Sequence, residues 1–594
     1  MRSSRPASYG RRFAPPARTI PTMRYPLPLA ICLALSAVAC APSAPPAPPP
    51  LTDFTTNSGA PLTPEQQAVS FEHADLHFKV DPEARRLEGD ATLTFRLKSP
   101  LKRVVLDLDR NLPIDAVEVD GQRVAASAYR NTDGHLDIDL PHPLDTGATT
   151  AVRVIYHGRP HTAVKPPWDG GMVWSTTPSG QPWIASAVEG EGCDIFWPCI
   201  DHPTGRPKLV DEHVTVPAPL VAVGNGVAIG MEEKDGMRTY HWRAHEVSTY
   251  GISLNIGPYR ELTATYKSRF GDSYPMHYWY VDDEAKARTL FAEFPHMLDF
   301  LEGTIGPYPF RSEKMGVVET PYKGMEHQTV NAYGNNYAKT PYGYDDLLQH
   351  ELSHEWFGNQ VTNVNWDDMW IHEAFATYMQ PLYAESIGGK QAYFASLMRL
   401  RSILANRHAI VSGTPRREED VYNDDRGGPG QDIYNKGALM LHTLRNLIGD
   451  DAFYRSVRLM VYGTENPLPG NFAPRYGTTK EFIDIVDKVT GKDMGWFFNV
   501  YLYQAALPEL QVKQDGTLLH LSWRVPGNGP FPLPVDVKVG DRVVTLPMAD
   551  GKGDVTLPAE NTLYVVDPDS KLLRRDVGME AYGEYARQHR GKNR

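Results

Sequence analysis

Cysteine is scarce in this chain, with only 4 among 594 residues. A disulfide-built scaffold needs a denser set, and the absence of a CxxC pair argues against a cysteine-bound metal site. Two of the cysteines, Cys193 and Cys199, lie far from the N-terminal segment. They can pair in an oxidising compartment or remain free thiols, because the short loop between them restricts disulfide geometry.

The chain also lacks a basic stripe, an apolar run long enough to span a membrane, and internal repeats. Its formal net charge is −12, and its lysines and arginines are scattered. This pattern argues against a nucleic-acid partner, and the acidic balance by itself indicates no substrate. No self-similarity at the period of a solenoid is present. Length and an aromatic content of 10% instead fit a large multidomain protein with substantial cores.

Residues 1–40 are predicted to be a signal segment. Residues 27–39 form an apolar run that is too short to span a membrane permanently and that ends in small residues. The sequence Ala-Val-Ala-Cys, ending at Cys40, resembles a bacterial lipobox, in which the cysteine is lipidated and becomes the mature N-terminus. The alternative is a plain signal peptide whose cysteine is incidental. Whether translation starts at Met1 or Met23 stays open.

The segment after this leader is consistent with export. Residues 41–65 are rich in proline and alanine and are expected to form an extended tether. If Cys40 is lipidated, Ala41 does not retain the protein in the inner membrane by the usual rule. We therefore expect a periplasmic protein or an outer-membrane lipoprotein of a bacterium, in contact with the membrane only through its lipid anchor.

The remaining chain changes its pattern three times, which predicts a multidomain α+β protein. Residues 66–258 alternate apolar and polar side chains, as β-strands do. Residues 259–505 begin with a strand region and then take a helical period. Residues 506–570 return to short strands and predict a small β-sandwich. Residues 571–594 are expected to be a basic C-terminal tail.

One helical segment carries the most specific motif of the chain, His350-Glu351-Leu352-Ser353-His354. On a helix, His350 and His354 share a face and can reach one metal ion, while Glu351 is placed to act as a general base on a metal-bound water. Glu373, from a second helix, supplies a third protein ligand. Three ligands leave one position open, which is typical of catalytic rather than structural zinc.

The alternative to a metal site is a chance match of three polar residues on a half-buried helix, which arises about once per hundred chains of this kind. The surroundings favour the metal site. Residues 345–357 contain no proline or glycine and carry apolar side chains at helical spacing. Gly358 and Asn359 then give a C-terminal stop, and residues 369–379 form a second helical run that holds Glu373.

The stretch from His350 to Tyr378 resembles the gluzincin aminopeptidases, the metallopeptidase family of membrane alanyl aminopeptidase and leukotriene hydrolase. Further matches are the GxMEN-like residues 322–328, a catalytic-tyrosine segment at residues 434–438, and Glu189 upstream of Asp201. The resemblance implies one zinc ion per chain. It also implies a saddle-like N-terminal β domain, a thermolysin-like catalytic domain and a small β-sandwich, without the long helical C-terminal domain of many members.

The resemblance also implies how a substrate is held. Glu326 and Glu189 would bind the free α-ammonium group of a peptide, because carboxylates at the end of a cleft select a cation and exclude further chain. Gly324 and Met325 belong to the same substrate-binding motif. Tyr322, just before it, is expected to wall the first side-chain pocket.

Catalysis in this family needs a hydrogen-bond donor for the oxyanion of the tetrahedral intermediate. The resemblance assigns this role to the Tyr434 hydroxyl and the proton transfers to Glu351. The structural alternatives are a surface acid at a strand edge for Glu326, a solvated acidic loop for Glu189 and a core aromatic for Tyr434.

Two residues depart from the family pattern. Lys323 stands where glycine is usual and is expected to add a cation near the amine-binding acids. His327 stands where asparagine is usual and adds a titratable group. Both departures leave the substrate preference and the pH dependence open.

The sequence thus predicts a zinc aminopeptidase that acts on peptides with a free N-terminus, in an oligomeric state that the sequence does not indicate. An endopeptidase or an epoxide hydrolase is an alternative within the same family, although an acid at Glu326 argues against chain extension. A non-catalytic peptide-binding or scaffold protein on the same fold is the alternative from another class. Such relatives lose ligands or the general base, and here both are present.

Overall fold

The computed structural model describes residues 57–589 except residues 471 and 528. The predicted signal segment, the lipidation of Cys40 and most of the predicted tether lie outside the described residues. Among the described helices, none combines the length and the apolar character that are needed to cross a membrane.

The N-terminal part, up to residue 257, is built almost entirely of strands. Within residues 57–257 the one α-helix, α1, covers Pro64–Gln67, and short 3-10 helices lie at Ala126–Ala128, Cys193–Ile195 and Thr249–Gly251. Its strands are β1 Val69–Asp81, β2 Arg86–Leu97, β3 Leu101–Asp107, β4 Ile114–Val119, β5 Gln122–Arg123, β6 Tyr129–Thr132, β7 His135–Leu144, β8 Thr149–Gly158, β9 Gly171–Thr176, β10 Pro182–Ala187, β11 Leu209–Pro217, β12 Val221–Val223, β13 Val227–Lys234, β14 Met237–His245 and β15 Asn255–Gly257.

These strands form three sheets. An eight-stranded sheet has the order β13-β14-β11-β1-β2-β8-β4-β5, a four-stranded sheet the order β12-β15-β10-β9, and a three-stranded sheet the order β3-β7-β6. Among the described strands of the largest sheet, only β1 and β11 run parallel to each other. Alternate residues of β1, such as Leu76 and Phe78, are buried, while His77 and Lys79 face solvent, which is the period-two pattern of a one-sided sheet.

The middle part combines one mixed sheet with most of the helices. Its strands are β16 Arg260–Lys267, β17 Ser273–Tyr280, β18 Met315–Glu319, β19 Gly324–Met325, β20 Asn331–Tyr333, β21 Val361–Asn363 and β22 Arg475–Gly477. Its α-helices are α2 Glu284–Phe291, α3 Phe294–Thr304, α4 Asp346–Ser353, α5 Trp370–Arg401, α6 Glu418–Tyr422, α7 Asn435–Ile448, α8 Asp450–Tyr462, α9 Thr479–Thr490 and α10 Gly495–Tyr501, with 3-10 helices at Trp366–Asp368, Asp424–Arg426 and Gly430–Ile433. The five-stranded sheet has the order β16-β17-β18-β20-β19, and β21 pairs with β22.

Helix α4 is shorter than the sequence predicts. The side chain of Asp345 caps its first turn by accepting a hydrogen bond from the Leu348 N–H, as an N-cap carboxylate does. The helix ends at Ser353, and His354 is its C-cap residue instead of a residue of its interior. Residues 354–357 continue as a turn, so the predicted stop at Gly358 comes too late by about one helical turn.

The C-terminal part consists mostly of strands, as predicted. These are β23 Glu509–Asp515, β24 Leu518–Arg524, β25 Val535–Val539, β26 Arg542–Leu546, β27 Lys552–Thr556 and β28 Tyr564–Val566, with a 3-10 helix at Ala549–Gly551. They form two three-stranded sheets, β23-β24-β27 and β26-β25-β28. The segment predicted as a basic tail begins with the buried Leu572 and Leu573 and contains a helix, α11 Val577–His589, which the sequence did not predict.

Cys193 and Cys199 form a disulfide, which answers the question that the sequence left open. Both are fully buried beside Asp201, whose carboxylate accepts hydrogen bonds from the Cys193 N–H and from the Ser58 hydroxyl. The bond thereby closes a small ring within the loop between β10 and β11.

Close packing of α5 against α7 depends on a glycine. A Cβ atom at Gly437 would lie 2.5 Å from the Cβ of Ala374, so replacing Gly437 by alanine forces the two helices apart. Overpacking lowers the free energy of unfolding by about 1–3 kcal/mol, whereas the higher helix propensity of alanine raises it by about 1 kcal/mol. We expect Gly437→Ala to lower the free energy of unfolding by about 1 kcal/mol, the difference between the middle of the first range and the second term, measured as a fall in the thermal midpoint.

The matched control for this variant is Ala374→Gly combined with Gly437→Ala, which moves the methyl group to the other helix. The double variant should unfold close to the wild-type temperature. An unchanged midpoint in Gly437→Ala alone would contradict the packing.

Candidate active site

Three predicted metal ligands meet where α4 faces α5. The Nε2 atoms of His350 and His354 lie 3.1 Å apart, and the Oε2 atom of Glu373 lies 3.4 Å from the first and 3.6 Å from the second. His354 and Glu373 are fully buried, while His350 keeps a small exposed fraction. One edge of this ligand triangle is therefore open to solvent.

The triangle has the dimensions of a zinc site. Ligand bonds of about 2.0–2.1 Å in tetrahedral geometry place ligand atoms about 3.4 Å apart. Glu373 Oε2 is buried and makes no hydrogen bond within the described part of the chain, a cost that a bound cation removes. The Nδ1 atom of His354 lies 2.7 Å from the carbonyl oxygen of Phe357, which leaves Nε2 free for a metal.

Glu351 projects from α4 into the same cleft and touches the backbone of β19. A Cβ atom at Gly324 would lie 2.2 Å from Glu351 Oε1, so only glycine leaves space for this carboxylate. Burial raises the pKa of Glu351 well above its ordinary value, and the carboxylates of Glu326 and Glu373 raise it further. A nearby dication acts in the opposite direction and favours the ionised base.

Glu326 follows directly after β19, which pairs antiparallel with β20. This pairing brings Glu326 beside α4. Single ligand atoms of Glu326, Glu351 and His354 all lie within 4.8 Å of one another. The Tyr250 hydroxyl donates a 3.0 Å hydrogen bond to Glu326 Oε1. The side chain is 3% exposed, so it is not the surface acid of a strand edge.

Glu189 reaches the cleft from the loop that follows β10. One carboxylate oxygen of Glu189, one of Glu326 and a ring nitrogen of His372 lie within 4.8 Å of one another. Glu189 is buried, and its Oε1 atom has no hydrogen-bond partner among the described residues. Burial raises the pKa of Glu189 well above its ordinary value, with the Glu326 charge as the next cause. Both acids thus face the cleft, and neither forms an ion pair with a described lysine or arginine.

Tyr434 lies directly before α7, at the end of the 3-10 helix Gly430–Ile433. Its ring centroid is 6.1 Å from that of His350, and its hydroxyl lies 2.8 Å from the hydroxyl of Tyr422. Burial raises the pKa of Tyr434 well above its ordinary value, and the Glu373 carboxylate raises it further. The phenol therefore keeps its proton, and it is available as a donor.

The other residues of the GxMEN-like segment differ in their surroundings. Lys323 is exposed and forms no ion pair with Glu189 or Glu326 in the described structure, so its influence on these acids stays a prediction. Met325 packs in the hydrophobic core. Tyr322 is buried and donates a hydrogen bond to the Ser186 carbonyl. Its role as a pocket wall stays a prediction.

His327 is fully buried, and neither of its ring nitrogens has a hydrogen-bond partner among the described residues. Burial lowers the pKa of His327 to about 4, so the ring is neutral at physiological pH. His327 thus supplies no charge to the cleft, although a histidine at this position was expected to add a titratable group.

Three residues near the site carry no sequence motif that predicts their position. The Tyr250 hydroxyl donates a hydrogen bond to Glu326, and the Tyr422 hydroxyl is hydrogen-bonded to that of Tyr434. The His372 Nε2 atom accepts a hydrogen bond from the Asn363 N–H. The only signal for His372 is that it precedes Glu373 in the chain. Tyr250 comes from the N-terminal part, and only the tertiary fold brings it to the cleft.

Comparison with known families agrees with this geometry. Residues 70–250 match the peptidase M1 N-terminal domain, and residues 296–501 match the peptidase family M1 domain. Together with the ligand triangle, these matches define a zinc metallopeptidase site. The chain belongs to peptidase family M1, and zinc is the cofactor that its three ligands fit.

Individual relatives are distant but cover much of the chain. Leukotriene A-4 hydrolase of Xenopus laevis is 25% identical over 77% of this chain and 74% of its own length. Tricorn protease-interacting factor F2 of Thermoplasma volcanium is 23% identical over 69% of this chain, which spans only 51% of that relative. A crystal structure of an M1 zinc metallopeptidase mutant of Deinococcus radiodurans with a Tyr-Ser-Ala substrate is 29% identical, with a TM-score of 0.63 over 75% of this chain and 96% of that one.

The contact between Gly324 and Glu351 gives a test of the site that leaves every metal ligand in place. In Gly324→Ala the new methyl group displaces the Glu351 carboxylate, and a misplacement of about 1 Å can cost about a hundredfold in rate. We expect kcat to fall by about a hundredfold on a peptide substrate, while the zinc content measured by mass spectrometry stays at one per chain.

The control is Gly230→Ala on β13, where an added Cβ meets no atom within 4 Å. It should keep full activity. Loss of zinc in Gly324→Ala, or wild-type turnover, would contradict the contact.

Proposed function

We propose that this chain is a zinc-dependent aminopeptidase that releases N-terminal residues from peptides. The observation that carries the proposal is the pair of buried acids, Glu326 and Glu189, beside the ligand triangle with no cationic partner among the described residues. Buried charges are normally paired, because an unpaired one costs several kcal/mol. A substrate α-ammonium group is a cation of the right size and charge to pair with both.

The same pair favours exopeptidase over endopeptidase action. A carboxylate that bonds the α-ammonium group lies where the preceding residue of a longer chain would lie. Peptides that extend in this direction, or whose amine is acylated, leave two buried acids unpaired and bind weakly. The Deinococcus structure is bound to a Tyr-Ser-Ala substrate, a short peptide of the kind that an exopeptidase shortens.

Each residue of the cleft then has one task. Zinc supplies Lewis-acid polarisation of the scissile carbonyl and lowers the pKa of a water molecule. Glu351 takes a proton from the attacking water and delivers it to the leaving amine. The Tyr434 hydroxyl donates a hydrogen bond to the developing oxyanion, with Tyr422 fixing its orientation. Glu326 and Glu189 hold the substrate by its amine throughout.

A panel of aminoacyl-arylamides, each with a free or an N-acetylated amine, tests this function. We expect hydrolysis of the free-amine substrates only, and the panel ranks the first side-chain pocket. In Glu351→Gln, turnover should fall by at least about a thousandfold with zinc still bound, because the general base is lost and the ligands are not.

Glu326→Gln separates amine recognition from chemistry. It should raise KM for free-amine substrates more than it lowers kcat. Absence of turnover on every free-amine substrate by a protein that holds one zinc per chain would refute the aminopeptidase. Equal hydrolysis of the N-acetylated substrates would do the same.

We further propose that the protein is exported and anchored through lipid on Cys40. The buried Cys193–Cys199 disulfide supports an oxidising compartment. In fractionated bacterial cells, the wild type should partition with membranes and incorporate a labelled fatty acid, and Cys40→Ser should be released as a soluble exported protein. A cytoplasmic wild-type protein with both thiols free would contradict the proposal.

A further inference from the structure

A short segment at the start of the described chain, residues 57–59, is buried beside the cleft. Asn57 is 1% exposed and Ser58 is 2% exposed, although both belong to the residues predicted as a tether. The segment precedes residues 70–250, which match the family's N-terminal domain. It thus lies outside the family matches, yet it contacts two elements of the candidate active site.

Ser58 contacts the loop that carries Glu189. Its N–H donates a 2.8 Å hydrogen bond to the carbonyl oxygen of Gly190, the residue after Glu189. Its hydroxyl donates a 3.0 Å hydrogen bond to the buried carboxylate of Asp201, farther along the same loop. The Oε1 atom of Glu189 has no hydrogen-bond partner among the described residues, so the position of this carboxylate depends mainly on the backbone of the loop.

The same segment caps the first turn of α6. The first N–H groups of a helix have no partner within the helix, and the side chain of Arg417 at the N-cap position carries no acceptor. The Ser58 carbonyl oxygen instead accepts a 3.1 Å hydrogen bond from the Glu418 N–H. Asn57 Oδ1 accepts a 3.1 Å bond from the Glu419 N–H, and Asn57 Nδ2 donates a 3.3 Å bond to the Glu419 carboxylate.

Gly59 packs the segment against the wall of the cleft. Its φ angle is +86°, and a Cβ atom would lie 2.3 Å from Cδ1 of Trp366, so only glycine fits here. The Trp366 ring centroid is 5.8 Å from that of Tyr250, whose hydroxyl donates a hydrogen bond to Glu326. The segment therefore has a defined place between the cleft wall, the Glu189 loop and α6.

The Glu189 loop and α6 carry like charges on facing sides. A Cβ atom on Gly190 would lie 2.8 Å from the Oε2 atom of Glu418, so this carboxylate lies against the loop. Burial raises the pKa of Glu418 well above its ordinary value, and the charge of Glu191 in the loop raises it further. Among the described residues, no hydrogen bond joins residues 188–192 directly to α6. Like charges disfavour a close approach of the two elements, and residues 57–59 supply the hydrogen bonds that bridge them.

We propose that residues 57–59 position the amine-binding end of the cleft by joining the Glu189 loop to α6. Asn57 and Ser58 are positioning residues, because they act on the substrate only through the loop and the carboxylate of Glu189. The inference rests on the proposed function, since it takes Glu189 as a ligand of the substrate amine.

Hydrogen–deuterium exchange, followed by mass spectrometry on the zinc-loaded full chain without substrate, tests the bridge itself. Asn57→Ala removes both side-chain bonds to α6, so exchange over residues 188–192 and 418–422 should become about tenfold faster. Asn131→Ala is the matched control. It also loses one bond donated by its amide and one accepted from a backbone N–H, in the hairpin of β6 and β7. This control should leave exchange in both segments unchanged.

Kinetics on free-amine aminoacyl-arylamides test the consequence for substrate binding. Asn57→Ala should raise KM about tenfold and change kcat by less than about twofold, with one zinc ion still bound, because amine recognition is loosened and the metal site is not. Gly59→Ala should also raise KM, since its methyl group displaces the segment from Trp366. Gly121→Ala, with a φ angle of +77° and no atom within 4 Å of the added Cβ, carries the same backbone strain and should keep the wild-type KM, as should Asn131→Ala.

The proposal is overturned if Asn57→Ala leaves exchange over residues 188–192 unchanged, if its KM equals that of the wild type, or if Asn131→Ala raises KM as much. A wild type that turns over no free-amine substrate would instead refute the proposed function. The exchange measurement needs no substrate, so it decides in that case too whether residues 57–59 bridge the loop and the helix.

Discussion

Uncompensated negative charge in one cleft is the constraint on which the rest of this structure depends. Glu189, Glu326, Glu351 and Glu373 are all buried around a small volume, and no described lysine or arginine forms an ion pair with any of them. Burial of several like charges is costly in an empty cleft. In the proposed function two cations offset this cost, a metal ion at the ligand triangle and the ammonium group of a substrate. The catalytic and binding roles follow from that requirement.

The scaffold holds the four acids by means that do not neutralise them. Helices α4 and α5 contribute Glu351 and Glu373, and the strand pair β19–β20 positions Glu326. The N-terminal part contributes Glu189 and the Tyr250 hydroxyl. Neutral donors such as Tyr250 orient a carboxylate and leave its charge intact. The cleft therefore requires both the β-rich and the helical parts of the chain.

Local spacing made some of this predictable from sequence. His350 and His354 were identifiable because four residues on a helix return to the same face, and the resemblance of residues 322–328 to a known motif identified Glu326. Strand alternation gave the β-rich N-terminal and C-terminal parts. In each case the informative residues lie within one element or one short segment.

Long-range placement was not predictable in the same way. The contact of Tyr250 with Glu326 and the fit of Gly324 against Glu351 both depend on the packing of segments far apart in the chain. The helix over residues 577–589 was missed because the basic residues on either side of it made the whole of residues 571–594 resemble a tail. The end of α4 was misplaced because residues 354–357 keep a helical pattern while they turn toward β21.

Calorimetric titration with two matched peptides tests whether the buried acids select a free amine. The zinc-loaded Glu351→Gln protein is titrated with a tripeptide whose amine is free and with its N-acetylated form. We expect the free amine to bind at least about a hundredfold more tightly, because only it pairs with the buried acids, and we expect Glu326→Gln to remove most of this preference. Equal affinity of the two peptides, or a preference that survives the loss of Glu326, would show that the acids do not select the amine.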